Sequence, residues 1–204
     1  MTGLSADDKA RISEAIRAAE AATAGEIYVV VAHSADDFRY VPVIWAALAA
    51  LLWPWPLHLL TRLSTTTILL TQVVFFIVAA WALSPARIRY RIVPDAIAAE
   101  SARKHAQQQF LAHGVHLTEE RTGVLIYVAL ANRRVEIVAD VGIHSKVGLP
   151  AWERLAREVT VAGRNQRLVD GIVNAVRQAG IALAEHFPPR ANNPNELSDR
   201  VVEI

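Results

Sequence analysis

The apolar residues of this chain are concentrated in one long segment of its first half. Residues 41–83 contain a single formal charge, Arg62, among otherwise mostly apolar side chains. Residues 41–60 and 66–83 each approach the length of about 20 residues that a helix needs to cross a bilayer. The segment therefore predicts a transmembrane helical hairpin, with a buried hairpin inside a soluble core as the alternative.

Basic residues border this segment on its two outer sides. Arg39 precedes the first span, and Arg87, Arg89 and Arg91 follow the second, whereas the turn carries Arg62 alone. Because loops rich in Lys and Arg stay in the cytoplasm, we expect a two-pass protein of the bacterial inner membrane with both termini cytoplasmic. The N-terminal part lacks the short apolar core of a signal peptide, so both outer segments are expected on the same side.

The residues before the hairpin predict one helix and one strand. Ser5 is placed to cap a helix, because an acid, Asp8, follows three residues later. Apolar positions then recur at helical spacing: Ile12, Ala15, Ile16, Ala19 and Ala22. Gly25 ends this helix, and Glu26–Ala32 has the sequence EIYVVVA, which is typical of a strand buried on both faces.

A second series of helices and strands follows the hairpin. Residues 95–113 predict a helix with Gly114 at its end. Residues 123–130 (GVLIYVAL) are apolar on both faces, whereas charged and apolar residues alternate in 134–140 (RVEIVAD), which predicts a strand at a sheet edge. Two helices are predicted after it. One begins near Pro150, and the other has apolar positions at Leu168, Ile172, Ala175, Val176, Ala179 and Leu183.

These elements predict an α/β fold, a three-layer α/β/α sandwich with a short mixed sheet. Strands that are apolar on both faces need helices on both faces. The first two strands are expected to be parallel, and the second and third to form an antiparallel hairpin. Residues 1–40 and 84–187 are predicted to form one discontinuous domain, interrupted by the hairpin at 41–83, and residues 188–204 an extended C-terminal tail.

Composition narrows the classes of function. With 21 Lys and Arg against 20 Asp and Glu the charge is balanced, so no nucleic-acid partner is expected. The chain has no cysteine, which excludes disulfides, thiolate metal sites and cysteine nucleophiles. Its nine glycines form no phosphate-binding loop of the GxGxxG or Walker type, and no GxSxG or HExxH motif occurs. No resident cofactor is expected.

Two carboxylates are candidates for a metal site. Asp140 ends the third strand, and antiparallel pairing places it at the same end of the sheet as Glu26, which begins the first. Together they could hold calcium or another divalent cation or do acid–base work, and capping a helix or facing water is the alternative. A second candidate metal site consists of His113 and His116 with His105 or His144. The alternative is that these histidines are solvated surface side chains.

Several short stretches have an order and spacing that resemble those of a known family. They are Ala24-Gly25-Glu26-Ile27, Thr122-Gly123-Val124-Leu125-Ile126, Arg134-Val135-Glu136-Ile137 with Gly142-Ile143, and Asn195-Glu196-Leu197-Ser198-Asp199. The chain resembles the TPM domain family, named for a thylakoid lumen protein, a photosystem II repair factor and an acetylcholine-receptor modulator. Plant members of this family have phosphatase or calcium-binding activities, and the resemblance implies these as candidate activities for this chain. The turn before the third strand, often acidic in relatives, is Asn132-Arg133 in this chain.

These observations favour a membrane-anchored, non-catalytic binding or assembly domain. In open α/β sheets ligands favour the carboxyl ends of the parallel strands. Here the first strand ends only a few residues before the chain enters the predicted membrane span. Such a position suits the lipid bilayer and another membrane protein as partners. A membrane-tethered, metal-dependent phosphatase is the alternative function.

Overall fold

A computed structural model describes residues 3–190 and 194–204 of the chain. The chain divides into two compact units, one made of Met1–Ala35 with Ala98–Ile204 and the other of Asp36–Ile97. The predicted division into one discontinuous domain, a membrane hairpin and a tail stays a prediction.

The described residues form a mixed series of helices and strands. In chain order they are α1 (Ala6–Glu20), β1 (Glu26–Ala32), α2 (Tyr40–Leu52), α3 (Pro54–Leu60), α4 (Thr65–Leu83), α5 (Ala86–Ile92), α6 (Asp95–Ala112), a 3-10 turn (Val115–Leu117), β2 (Gly123–Ala129), β3 (Arg134–Ala139), α7 (Val141–Val147), α8 (Leu149–Arg164), α9 (Leu168–His186) and β4 (Val202–Glu203).

The first unit contains a mixed sheet with the strand order β3-β2-β1-β4. β1 and β2 are parallel, and their register pairs Glu26 with Gly123. β2 and β3 form an antiparallel hairpin in which Val124 pairs with Ala139. Both pairings confirm the prediction from sequence. β4 adds a short parallel strand on the outer side of β1.

Helices cover both faces of this sheet, as the two fully apolar strands predict. On one face, α1, α7, α8 and α9 enclose a core that includes Ile27, Ile126 and Trp152. On the other face, α6 and the 3-10 turn pack over Tyr127, with Phe110 in the same core. The predicted three-layer α/β/α sandwich is confirmed.

The ends of α1 and α6 follow the sequence signals. The hydroxyl of Ser5 accepts a hydrogen bond from the Asp8 N–H at 3.1 Å, and the Asp8 carboxylate accepts one from the Ser5 N–H at 3.2 Å. This is the reciprocal capping box that the pattern predicts. Gly114 has φ +67°, a left-handed conformation that glycine adopts without strain, and it ends α6.

The second unit holds the apolar helices. Among the described residues, two helices are long and apolar enough to cross a membrane, Tyr40–Leu60 with 21 residues and Thr65–Leu83 with 19. The first is divided at Pro54 into α2 and α3, where a proline removes a helical hydrogen bond. α2 packs against α4, and the Trp53 and Phe75 rings stack with centroids 4.2 Å apart.

Four short elements are absent from the sequence prediction: α5, the 3-10 turn, α7 and β4. α5 contains the arginines that follow the second apolar helix, and α7 begins directly after β3. The tail, predicted to be merely extended, pairs with β1 at its end, although residues 191–193 lie outside the described residues. A two-residue strand leaves no local pattern, because its pairing with a distant strand creates it.

Candidate functional site at the acidic end of the sheet

Glu26, the first residue of β1, is a buried carboxylate that contacts the C-terminal tail. It is 3% exposed, and its Oε2 accepts a hydrogen bond from the N–H of Leu197 at 3.2 Å. The backbone of Glu196 donates to the same carboxylate. Burial raises the pKa of Glu26, and the bonds from the tail oppose that rise. The side chain therefore fixes the tail against the start of the sheet.

Asp140, the other predicted metal ligand, caps α7. Its Oδ1 accepts a hydrogen bond from the N–H of Val141 at 2.6 Å, which is the capping role that sequence reasoning left open. Its Oδ2 is buried and has no hydrogen-bond partner among the described residues. The Nη1 of Arg121 lies 3.9 Å from Oδ2, so the carboxylate has a cation near its unpartnered oxygen.

The sheet places Asp140 and Glu26 at the same end, with Gly123 of β2 between them. The Asp140 N–H donates to the Gly123 carbonyl at 3.0 Å, and Gly123 pairs in register with Glu26. A Cβ on Gly123 would lie 2.2 Å from the Val115 carbonyl oxygen, so the 3-10 turn fills the space beside this glycine. Within residues 3–190 and 194–204, no three His, Asp or Glu side chains form a group that could hold a metal ion. The metal site at Asp140 and Glu26 stays a prediction.

Glu20, at the end of α1, is an acidic residue of this region that the sequence analysis did not identify. Its Oε1 accepts a hydrogen bond from the Ile27 N–H at 2.8 Å. Burial raises the pKa of Glu20 to about 8, the carboxylates of Glu26 and Asp199 add to the rise, and the bond from Ile27 opposes it. An acid in the last helical turn before a buried strand was the available signal. Near neutral pH this carboxyl can hold a proton.

The candidate histidines have separate structural contacts. His113 Nδ1 lies 3.2 Å from the Tyr28 hydroxyl, and His105 Nδ1 lies 3.0 Å from the Ser101 carbonyl oxygen. His144 belongs to α7. The structure does not group three of these side chains within the part of the chain that it describes.

Comparison with known proteins identifies the family. A model of the TPM domain matches residues 77–182, slightly more than half of the chain. A solved structure, the NMR structure of the BA42 protein from the psychrophilic bacterium Bizionia argentinensis, has a TM-score of 0.62 at 20% identity, covering 100% of this chain and 97% of that one. No curated protein matches. The likeness to the BA42 structure shows a shared fold. The match to the family model extends from α4 through most of α9. The chain belongs to the TPM domain family.

Proposed function

We propose that this chain is a membrane-anchored TPM domain that acts by binding, with the bilayer and another membrane protein as its partners. The apolar surface of its second unit carries the proposal. Only 11% of the apolar window in Tyr40–Leu60 and 6% of that in Thr65–Leu83 is buried. Side chains such as Leu52, Leu60 and Trp81 are more than two-thirds exposed. Apolar helices with so little cover need a lipid environment.

Arginines support an orientation for this anchor. Arg87, Arg89 and Arg91 lie in α5, directly after the second apolar helix, and Arg39 precedes the first. Arg62 is the one arginine between the helices. By the positive-inside rule, the turn faces the periplasm and both termini lie on the cytoplasmic side of a bacterial inner membrane.

Binding is favoured over catalysis because the candidate carboxylates already serve the fold. Glu26 accepts hydrogen bonds from the tail, Asp140 caps α7, and Glu20 accepts a bond from β1. One observation favours the alternative, a membrane-tethered metal-dependent phosphatase. The Oδ2 atom of Asp140 is buried with no hydrogen-bond partner among the described residues. A buried carboxylate oxygen that accepts no hydrogen bond can bind a divalent cation, and here the Nη1 of Arg121 lies 3.9 Å from it.

Membrane fractionation with topology reporters tests the anchor. The full chain is expected in the membrane fraction after a carbonate wash, and a variant lacking residues 41–83 in the soluble fraction. A reporter fused after residue 204 should read cytoplasmic, and one fused beside Arg62 should read periplasmic. Recovery of the full chain as a soluble protein would refute the anchor, and a periplasmic C-terminus would refute the orientation.

A phosphatase assay separates binding from catalysis. The detergent-solubilised full chain is incubated with p-nitrophenyl phosphate and calcium, magnesium or manganese. We expect no turnover that depends on Asp140. Activity that is lost in Asp140→Asn while the variant keeps the wild-type melting temperature would instead establish the phosphatase.

A further inference from the structure

β3 lies at an edge of the sheet, and its outer side has no strand partner among the described residues. The Asp140 N–H donates to the Gly123 carbonyl. Because bonded pairs alternate in an antiparallel ladder, every second residue of β3 turns its N–H and C=O groups away from β2. Those residues are Val135, Ile137 and Ala139. Outward N–H and C=O groups along an edge are a template for another strand.

A groove of about 680 Å³ follows this edge, and we name it the β3 groove. β3 forms its floor over its whole length, α6 contributes Arg103 and Gln107 to one wall, and α8 contributes Trp152 and Arg157 to the other. A cavity of about 410 Å³ adjoins it, because four residues line both: Arg134, Val135, Thr160 and Arg164. The two spaces together offer an elongated site beside an open strand.

Arginines outnumber acids in the lining of the β3 groove. The charged side chains that the structure places there are Arg103, Arg134, Arg157 and Arg164 with Glu136 and Glu153. Arg157 Nη1 lies 3.6 Å from the Glu153 carboxylate. Burial raises the pKa of Glu136, and Arg103 and Arg134 oppose that rise. The excess of guanidinium groups favours an occupant that carries carboxylates.

Two further observations point to an extended chain as the occupant. The indole N–H of Trp152, in the lining of the groove, is buried and has no acceptor among the described residues. An extended backbone brings carbonyl oxygens as acceptors. The other side of the same sheet already holds such a segment, because Val202–Glu203 pairs with β1. A short strand that carries an acid therefore fits an edge of this sheet.

We propose that the β3 groove binds an extended acidic segment of a partner protein, which joins the sheet as a strand beside β3. Main-chain hydrogen bonds to Val135, Ile137 and Ala139 supply affinity, and the arginines select carboxylate side chains. The inference rests on the proposed function, which is partner binding. It adds that the bound segment of the partner is extended and acidic.

Peptide binding to the full chain in detergent micelles tests the proposal. The probe is a fluorescein-labelled peptide of about ten residues that alternates valine with glutamate, and the control alternates valine with lysine. Fluorescence anisotropy is expected to give a Kd for the acidic peptide at least about tenfold below that for the basic one, weakening as salt is raised. Equal affinity for the two peptides would overturn the charge selection.

Substitutions at Ile137 test whether the peptide joins as a strand. Ile137→Pro removes an outward N–H and leaves the bonds to β2 in place, and Ile137→Ala removes a similar side chain but keeps the N–H. We expect Ile137→Pro to bind the acidic peptide about tenfold more weakly than Ile137→Ala, because a main-chain bond and its neighbours are lost. Equal affinities in variants with the same circular dichroism spectrum would overturn strand addition.

Charge reversals test where the carboxylates bind. Arg103→Glu and Arg164→Glu are each expected to raise the Kd about three- to tenfold, because each puts a repelling charge in the groove. Arg177→Glu, on α9 and outside the groove lining, is the matched control and should change the Kd by less than about twofold. A loss with Arg177→Glu as large as with the other two would place the peptide elsewhere.

Hydrogen exchange of the wild-type chain gives a measurement that depends on no variant. The acidic peptide should slow exchange at the N–H groups of Val135, Ile137 and Ala139 at least about tenfold. Binding without this protection would overturn the proposal, as would protection that grows with protein concentration alone, which would identify a second copy as the occupant. The micelle assay does not depend on membrane insertion, so its failure leaves the fractionation and topology tests unaffected.

Discussion

β1 and β3 flank β2 on opposite sides, yet they differ in what lies beyond them. All seven residues of β1 are buried, whereas Val135 alone is fully buried in β3. Beyond β1 lies another strand, and beyond β3 lies the β3 groove. Two strands of similar length in one sheet thus have different environments, because the described part of the chain covers one edge and leaves the other accessible.

Two segments that are far apart in the sequence, the end of α1 and the C-terminal tail, form hydrogen bonds with the outer side of β1. Near its start, the Glu20 carboxyl accepts a hydrogen bond from the Ile27 N–H. Near its end, Ile204 donates to the Val31 carbonyl at 3.1 Å and accepts from the His33 N–H at 2.8 Å. An exposed strand edge invites pairing with other chains, and these contacts remove that risk on one side. β3 has no such strand beyond it among the described residues, and it is the strand to which we propose that a partner binds.

The largest expected difference between the two strands comes from a buried charge. Val29→Asp places a carboxylate in the fully buried core and should lower the free energy of unfolding by about 3–5 kcal/mol, enough to unfold a marginal domain. Ile137→Asp, in the partly buried β3, should cost about 1–2 kcal/mol. Thermal melts followed by circular dichroism measure both.

Limited proteolysis of the Val29→Asp variant also tests the discontinuous domain. Cleavage is expected near Gly163 as well as in the first 40 residues, because β1 and β2 share one core. Val29→Ala, which makes a smaller cavity without a charge, is the control. If residues 95–187 of the aspartate variant stay as resistant as in the wild type, the two segments fold separately.

Removal of the tail should make the two edges alike. Deleting residues 195–204 removes β4 and the hydrogen bond that the Leu197 N–H donates to Glu26. This deletion should lower the free energy of unfolding by about 2 kcal/mol. Hydrogen exchange should then quicken at His33 and stay unchanged at Ile137. Glu203→Gln keeps the strand and loses only the ion pair with Lys9, so it should change stability by less than about 0.5 kcal/mol. No change at His33 after truncation would contradict the role given to the tail.

The smallest expected effect concerns the pH dependence that Glu20 adds at the closed edge. Its pKa is raised from 4.5 to about 8 in the folded state. Between those values the folded state holds a proton that the unfolded state releases, so stability falls as pH rises. Because the carboxyl keeps some contact with solvent, we expect about 1–2 kcal/mol of loss from pH 5 to pH 8.

Urea unfolding at pH 5 and pH 8 measures this loss. Glu20→Gln keeps an oxygen for the Ile27 N–H and has no proton to release, so its stability should change less over the same interval. A variant with the same pH dependence as the wild type would assign the effect to other groups, such as Glu26, whose pKa is also raised by burial.

The sequence predicted the centre of this sheet better than its edges. After their first residues, EIYVVVA and GVLIYVAL are apolar at successive positions, so the side chains on both faces of each strand are apolar. This pattern predicts burial on two faces. The alternation of Arg134 and Glu136 with apolar residues likewise marked β3 as an edge. β4 could not be predicted, because two residues acquire strand structure only from pairing with β1.

The candidate site was predicted in part. Strand pairing placed Glu26 and Asp140 at one end of the sheet, and the registers confirm this. Sequence could not show that N–H groups of the tail donate hydrogen bonds to the Glu26 carboxylate, because these residues are far apart in the chain. Glu20 was missed for the same reason, because its importance comes from the Ile27 N–H and from two other carboxylates. The β3 groove depends on where α6 and α8 pack, which no local pattern records.

The parallel pairing of β1 with β2 has a consequence for biosynthesis. β1 leaves the ribosome first, and its partner follows about 100 residues later, a delay of about 5–20 s at ordinary rates of synthesis. During that interval the apolar helices emerge, while a strand made almost wholly of apolar residues has neither of its neighbours. Non-local strand pairing is slow and exposes chains to aggregation. The strand that is best protected in the finished protein is therefore the one that waits longest without protection while the chain is made.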